Sequence, residues 1–239
     1  MNAYRQSPFA NLTPVVKNLL IINIIFFIAT YVLRNNFDME RHLAVYYFNS
    51  PQFRVWQIIS YMFMHGNIGH IFFNMFALFM FGPILEYSIG SKRFFNLYFI
   101  CGIGAIAIQM LVQAIVVHSI TGSITIPHPE FDSTFYQYGP NAQKLYDTYY
   151  TPVLGASGAI FGLLVAFGML YPNMEMMILF IPVPVKAKYI IPIYIIIEIV
   201  LGVGQFGGDN VAHFAHLGGA LLGFITVKLW RLQRTDNYF

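Results

Sequence analysis

Apolar residues fill six long runs of this chain, roughly Val16–Leu33, Ile68–Tyr87, Phe95–Val117, Ala156–Tyr171, Tyr189–Val203 and Val211–Trp230. A helix that crosses a bilayer needs about 20 mostly apolar residues, so each run predicts a membrane helix, several of them short for a full span. The intervening stretches are polar. Residues 34–61 mix charge with aromatics suited to an interface, Trp56 among them. Residues 88–94 read as a tight basic turn, 118–150 as a loop rich in Pro, Tyr and Asn, 172–188 as a loop with Glu175, Lys186 and Lys188, and 205–210 as a Gly-rich connection. No repeat of fixed period interrupts this pattern. It predicts an all-α, polytopic membrane helix bundle of six transmembrane helices. We expect one membrane domain over 1–239, with its core at about 16–231 and an outward insertion at about 118–150. No small-x-small cleavage site follows the first run, so that run is read as a retained span.

Composition agrees. Of 239 residues, 57% are hydrophobic and 10% charged, against about 25% charged in soluble domains. The net charge of +3, without a basic block, argues against nucleic-acid binding. The single cysteine, Cys101, excludes a disulfide framework and a zinc-type cysteine set, and no cofactor or resident metal is expected. Lys and Arg set the orientation. Nine of them (Arg5, Lys17, Lys92, Arg93, Lys186, Lys188, Lys228, Arg231 and Arg234) fall on one side and four (Arg34, Arg41, Arg54 and Lys144) on the other. This places both termini in the cytoplasm and the 34–61, 118–150 and 205–210 loops outside, in a multi-pass protein of the cell membrane.

Three polar groups sit at the outward ends of the predicted helices: His65-x4-His70-x3-Asn74, Ser157 after Gly155-Ala156, and Asp209-Asn210-x2-His213-x2-His216. Such side chains are costly in lipid unless they face one another or a wet cavity. His70 and Asn74, four apart, share a helical face. From Ser157 to Tyr171, and from His216 to Trp230, the helix rises about 22 Å. The hydrocarbon core is about 30 Å thick, so both side chains are expected below the outer surface, at a depth where they could meet in one recess open to the outside. Taken alone, the glycine-rich turn into Ser157 reads first as helix packing. His216, Gly219 and Gly223 on one helix and Gly158 and Gly162 on the other provide small-residue stripes, so close approach would bring the imidazole to the hydroxyl.

As a set, His65-x4-His70-x3-Asn74, Gly155-Ala-Ser157-Gly158 and Ala215-His216-Leu-Gly-Gly219-x3-Gly223 resemble the rhomboid family of intramembrane serine proteases. The resemblance covers about residues 16–231. It implies Ser157 as nucleophile and His216 as general base and acid, with no carboxylate needed to orient the histidine. It further implies Phe161 as the aromatic against that ring, and His70, Asn74 and the Ser157 backbone N–H as oxyanion donors. The implied substrate is the transmembrane helix of a single-span membrane protein, cut near its outward end, with the lipid bilayer as surroundings.

The chain departs from the family where Trp56-Gln57 stands in place of Trp-Arg, and the 118–150 connection is longer than the family core needs. His213, on the His216 face, is a candidate cavity donor, as His65 is a supporting candidate. Glu198 could be a buried hydrogen-bonding carboxyl or could face the cavity. Two other functions compete: a non-catalytic rhomboid-like binder of membrane helices, and a metal or proton pathway through His65, His70, His213, His216 and Glu198. Against the latter, no carboxylate or cysteine is expected at the depth of the histidines, and Gly155–Gly158 would be left unexplained.

Overall fold

The computed structural model describes residues 12–130, 133–178, 181–204 and 211–233. The 205–210 connection, with Asp209 and Asn210, lies outside the described residues, as do both termini. Ten α-helices are described: α1 Pro14–Leu33, α2 Met39–Leu43, α3 Gln57–Ser60, α4 Ile68–Ile89, α5 Ser91–Thr121, α6 Ser133–Tyr136, α7 Ala142–Tyr150, α8 Ser157–Leu170, α9 Ala187–Gly204 and α10 His213–Leu229. The protein is thus an all-α polytopic bundle. Among the described residues α1, α4, α5 and α9 are long and apolar enough to cross a membrane, and α8 and α10 are shorter apolar helices. Their 14 and 17 residues rise about 21 and 25 Å, less than the hydrocarbon thickness. Isoleucines stand exposed along α1 and α9, the outward apolar face expected of helices that meet lipid.

The long helices start and stop for local reasons. Pro14 opens α1, where its missing N–H costs nothing. Glu86 of α4, itself buried, accepts hydrogen bonds from the backbone N–H groups of Val15 and Val16 and from the Ser91 hydroxyl. A carboxylate thereby caps the positive end of α1. The break between α4 and α5 is one residue, Gly90, at φ 82°, so the expected 88–94 turn is helical on either side of it.

Two stretches read as loops hold more structure than their composition suggested. Residues 172–188 contain an antiparallel hairpin, β1 Glu175–Ile178 with β2 Ile181–Lys186. Proline within a strand hid it, since proline suits only edge positions. In the 118–150 insertion, α5 runs on to Thr121, and α6 and α7 follow. Val117, Ile126, Phe135, Leu145 and Tyr149 bury themselves there with Tyr47 of the first loop. Tyr149 donates to Asn49 at 2.8 Å and Tyr47 to the Ile124 carbonyl at 2.7 Å. The insertion is therefore fastened to the 34–61 loop.

At the centre α5, α8 and α10 pack against one another, with glycines at their contacts. A Cβ placed on Gly158 would fall 2.5 Å from Ala105 Cβ, and one on Gly162 would fall 2.3 Å from Cys101 Sγ. One on Gly219 would fall 1.8 Å from the Gly158 carbonyl oxygen, and one on Gly223 2.4 Å from that of Gly162. α8 and α10 therefore meet backbone to backbone along the stripes read from the sequence.

Candidate active site

Ser157 is the first residue of α8, so its N–H and those of the next residues have no partner within the helix. The approach to it is anchored twice. Val153 and Val45 exchange backbone hydrogen bonds of 2.8 and 2.9 Å, and Gly155 N–H donates to the Tyr61 carbonyl at 2.9 Å. Gly155 then turns with φ 125°, a conformation that favours glycine. There is a second reason for glycine: a Cβ here would lie 2.7 Å from His70 Nε2 and 3.5 Å from Ser157 Oγ. The imidazole and the hydroxyl thus flank one carbon-sized space that glycine leaves open.

The seam between α8 and α10 brings His216 Nε2 to 2.7 Å from Ser157 Oγ. The imidazole stacks on Phe161, one turn along α8, with centroids 4.4 Å apart and planes 8° from parallel. Its other nitrogen, Nδ1, lies 2.9 Å from Glu198 Oε2, and His213 Nδ1 lies 2.6 Å from the same oxygen. A carboxylate can only accept, so both Nδ1 atoms donate. In neutral His216 this leaves Nε2 bare, and the Ser157 hydroxyl donates to it. An alkoxide-forming proton transfer is chemically open to this pair.

Glu198 is the correction here. The resemblance implies that no carboxylate is needed to orient the histidine. The sequence leaves Glu198 open between a buried hydrogen-bonding carboxyl and a cavity-facing one, and predicts no carboxylate at the depth of the histidines. The sequence showed an acid in an Ile-rich helix but not its partner, because α9 and α10 are joined through residues that carry no pairing pattern. His213 is brought to the same carboxylate and lies edge-on to His216, with centroids 6.3 Å apart.

On α4, Asn67 caps the helix by accepting from the His70 N–H at 2.8 Å. Asn74 is buried and donates one amide hydrogen to the His70 carbonyl at 2.9 Å. His70 reaches the Gly155–Ser157 space; Asn74 stands one turn deeper. His65, in the segment before α4, is buried edge-to-face against His70, with centroids 5.0 Å apart. Burial, and after it the neighbouring His70, pushes its imidazole down to about 4, so it is neutral near pH 7. In the first loop Gln57 is fully buried. Its amide donates to the carbonyls of Arg41, His42 and Gln52, and its oxygen accepts from the Arg54 N–H at 2.9 Å. The residue that departs from the family's Trp-Arg pair thereby organises this loop.

A family model described as the rhomboid domain matches residues 52–232 of the chain. The chain belongs to the rhomboid family. An uncharacterised mitochondrial rhomboid protein of Schizosaccharomyces pombe is 27% identical over 220 residues, covering 81% of this chain and 56% of its own length. RHOMBOID-like protein 12, mitochondrial, of Arabidopsis thaliana is 27% identical over 212 residues, covering 88% of this chain and 56% of its own. The rhomboid protease GluP of Bacillus subtilis is 30% identical over 183 residues, covering 77% of this chain and 27% of its own. This rhomboid chain therefore spans about half the length of the first two relatives and 27% of that of the third. It is a multi-pass membrane protein of a family that includes proteases. Because two of these relatives are named mitochondrial, they lend no support to the cell-membrane expectation.

Proposed function

We propose that the protein is an intramembrane serine endopeptidase that cuts the transmembrane helix of a single-span membrane protein near its outward end. What carries this reading is the Ser157–His216 contact, 2.7 Å at Nε2, with the ring stacked on Phe161 at the head of a short helix. His216 Nε2 takes the proton from Ser157 Oγ as Oγ bonds to the scissile carbonyl carbon, and the C=O electron pair moves onto oxygen. Collapse breaks the C–N bond, and the amine leaves with the proton held by His216. Water then attacks the acyl-enzyme, gives its proton to His216, and releases the carboxylic product with the Ser157 hydroxyl restored.

The developing oxyanion needs donors where water is scarce, and losing one typically costs about a hundred- to a thousand-fold in rate. The Ser157 N–H at the start of α8 and His70 beside the Gly155 space suit that role directly, and Asn74 suits it by its second amide hydrogen. The short lengths of α8 and α10 and the lopsided Lys and Arg count favour a recess opening away from the basic loops, with both termini on the basic side. A substrate helix would enter laterally and unwind locally, since a hydrogen-bonded backbone is poorly presented for attack.

The test is labelling by a fluorophosphonate in detergent or bicelles, with a helix-destabilised single-span substrate beside it. Wild type is expected to label and cleave, and Ser157→Ala and His216→Ala to do neither. Labelling that persists in Ser157→Ala sinks the nucleophile assignment. A wild type that folds but neither labels nor cleaves leaves the non-catalytic helix binder.

The metal reading is favoured by one observation, the ligand atoms of Glu198, His213 and His216 lying within 4.8 Å of one another. It leaves the Ser157 contact and the Phe161 stack without purpose. Zinc bound stoichiometrically by an unreactive protein would bring it forward.

A further inference from the structure

We infer that Glu198 and His213 are positioning residues, which make the Ser157–His216 pair a carboxylate-oriented relay; the inference rests on the protease reading above. Glu198 is the one acidic residue of α9, a helix that otherwise presents Ile193, Ile196, Ile197, Ile199 and Val200 to its surroundings. An acid in such a helix is expensive unless it is paired. Both of its bonds run to one oxygen, Oε2, from His213 Nδ1 at 2.6 Å and from His216 Nδ1 at 2.9 Å. A structural ion pair joining α9 to α10 would need His213 alone. The second bond reaches the ring whose far nitrogen faces Ser157 at 2.7 Å.

The chemistry follows from the donor inventory. A neutral imidazole carries one N–H, and only the Nδ1–H form can accept the serine proton at Nε2. The Glu198 carboxylate selects that form, and it faces the imidazolium when the ring has taken the proton. Phe161 fixes the ring plane and Glu198 fixes its rotation within that plane. His213, by donating to the same oxygen, keeps the carboxylate aimed and solvates its charge where lipid cannot. Glu198 thus touches no substrate and acts through His216.

The experiment is the fluorophosphonate rate, together with kcat and KM on a cleavable single-span substrate, for Glu198→Gln, Glu198→Asp and His213→Ala. Glutamine keeps the shape, but its amide can donate to His216 Nδ1 and hold the proton on Nε2. Removing the orienting acid from a serine-protease triad costs roughly ten-thousand-fold in kcat. We expect Glu198→Gln to lower kcat and labelling by at least about a hundred-fold, with KM within about twofold, as for a loss confined to the transition state. Glu198→Asp, which keeps the charge, is expected to recover at least about tenfold of that loss, and His213→Ala to fall between. Thermal midpoints measured alongside separate orientation from folding. Labelling of Glu198→Gln at the wild-type rate overturns the proposal while the protease reading stands. So does an equal loss in Gln and Asp that tracks a fall in midpoint. If Glu198→Gln fails to fold, the ordering of Asp and His213→Ala against wild type decides. A wild type that does not label removes the protease reading itself.

Discussion

Helix α10 packs against α5, α8 and α9, and its contacts with α8 and α9 differ in kind. Toward α8 it meets backbone, with the Gly219 and Gly223 Cβ positions 1.8 and 2.4 Å from the carbonyl oxygens of Gly158 and Gly162. Toward α9 it meets side chains, since a Cβ on Gly202 would lie 3.1 Å from His213 Cβ and 3.5 Å from the Phe214 ring. α9 buries Ala187, Ile190, Ile191 and Gly202 and leaves most of its other side chains partly or wholly exposed. The first contact fixes the separation of Ser157 and His216, because no side chain there can swing aside to change it. The second brings a carboxylate to His216 on a helix with far less holding it. Distance and orientation within one site are thus set by separate pieces of the fold, and can be damaged separately.

The strongest way to break that contrast is Gly219→Ala. Alanine in a helix interior gains roughly 0.5–1 kcal/mol over glycine. A methyl group 1.8 Å from a carbonyl oxygen forces the helices apart, and overpacking of that kind costs about 1–3 kcal/mol or more. Thermal unfolding in micelles should show a clear fall in midpoint, with fluorophosphonate labelling lost as His216 withdraws from Ser157. A variant that keeps the wild-type midpoint and labels at the wild-type rate would mean that the two backbones do not touch.

A smaller effect is expected from Phe161→Leu, which spares the seam and removes only the platform under the imidazole. The stack is close to parallel, 8° between planes, and such ring contacts are worth about 0.5–1.5 kcal/mol. Cleavage and labelling should fall by about three- to tenfold, the midpoint should barely move, and Phe161→Tyr should restore the rate. An unchanged rate in Phe161→Leu would leave Glu198 as the sole orienting contact.

These two residues also mark the limit of what the sequence revealed. The seam was legible because Gly158 with Gly162, and Gly219 with Gly223, recur at helical spacing, and spacing within a helix is a local property. Phe161 entered through the family resemblance rather than through its own pattern, since a phenylalanine one turn past Ser157 looks like any core residue. Glu198 was visible as an anomaly without a partner. Its meeting with His213 and His216 depends on the rotation of α9 about its axis, which exposed isoleucines on several sides do not specify. The 172–188 hairpin and the folded insertion were missed for a related reason. Their prolines and tyrosines read as loop when taken alone, whereas Tyr47, Phe135 and Tyr149 form a core, with Asn49 accepting from Tyr149, only once the distant segments meet.

The smallest change, and the most informative about α9, is Gly202→Ala. The helix-propensity gain is the same roughly 0.5–1 kcal/mol as at Gly219. Here, however, the new methyl group meets His213 Cβ at 3.1 Å, a contact relieved by a few tenths of an ångström of movement in a lightly held helix. Gain and clash should nearly cancel, leaving the midpoint within about 2 °C of wild type. The shift would still displace Glu198 from the two imidazoles it bridges. Labelling should therefore slow by about two- to fivefold, an effect absent from the Glu198→Gln background because the carboxylate is already gone. A midpoint that falls as far as that of Gly219→Ala would erase the distinction between the two faces of α10. A slowing that persists in the Glu198→Gln background would show that α9 influences His216 by a route other than its carboxylate.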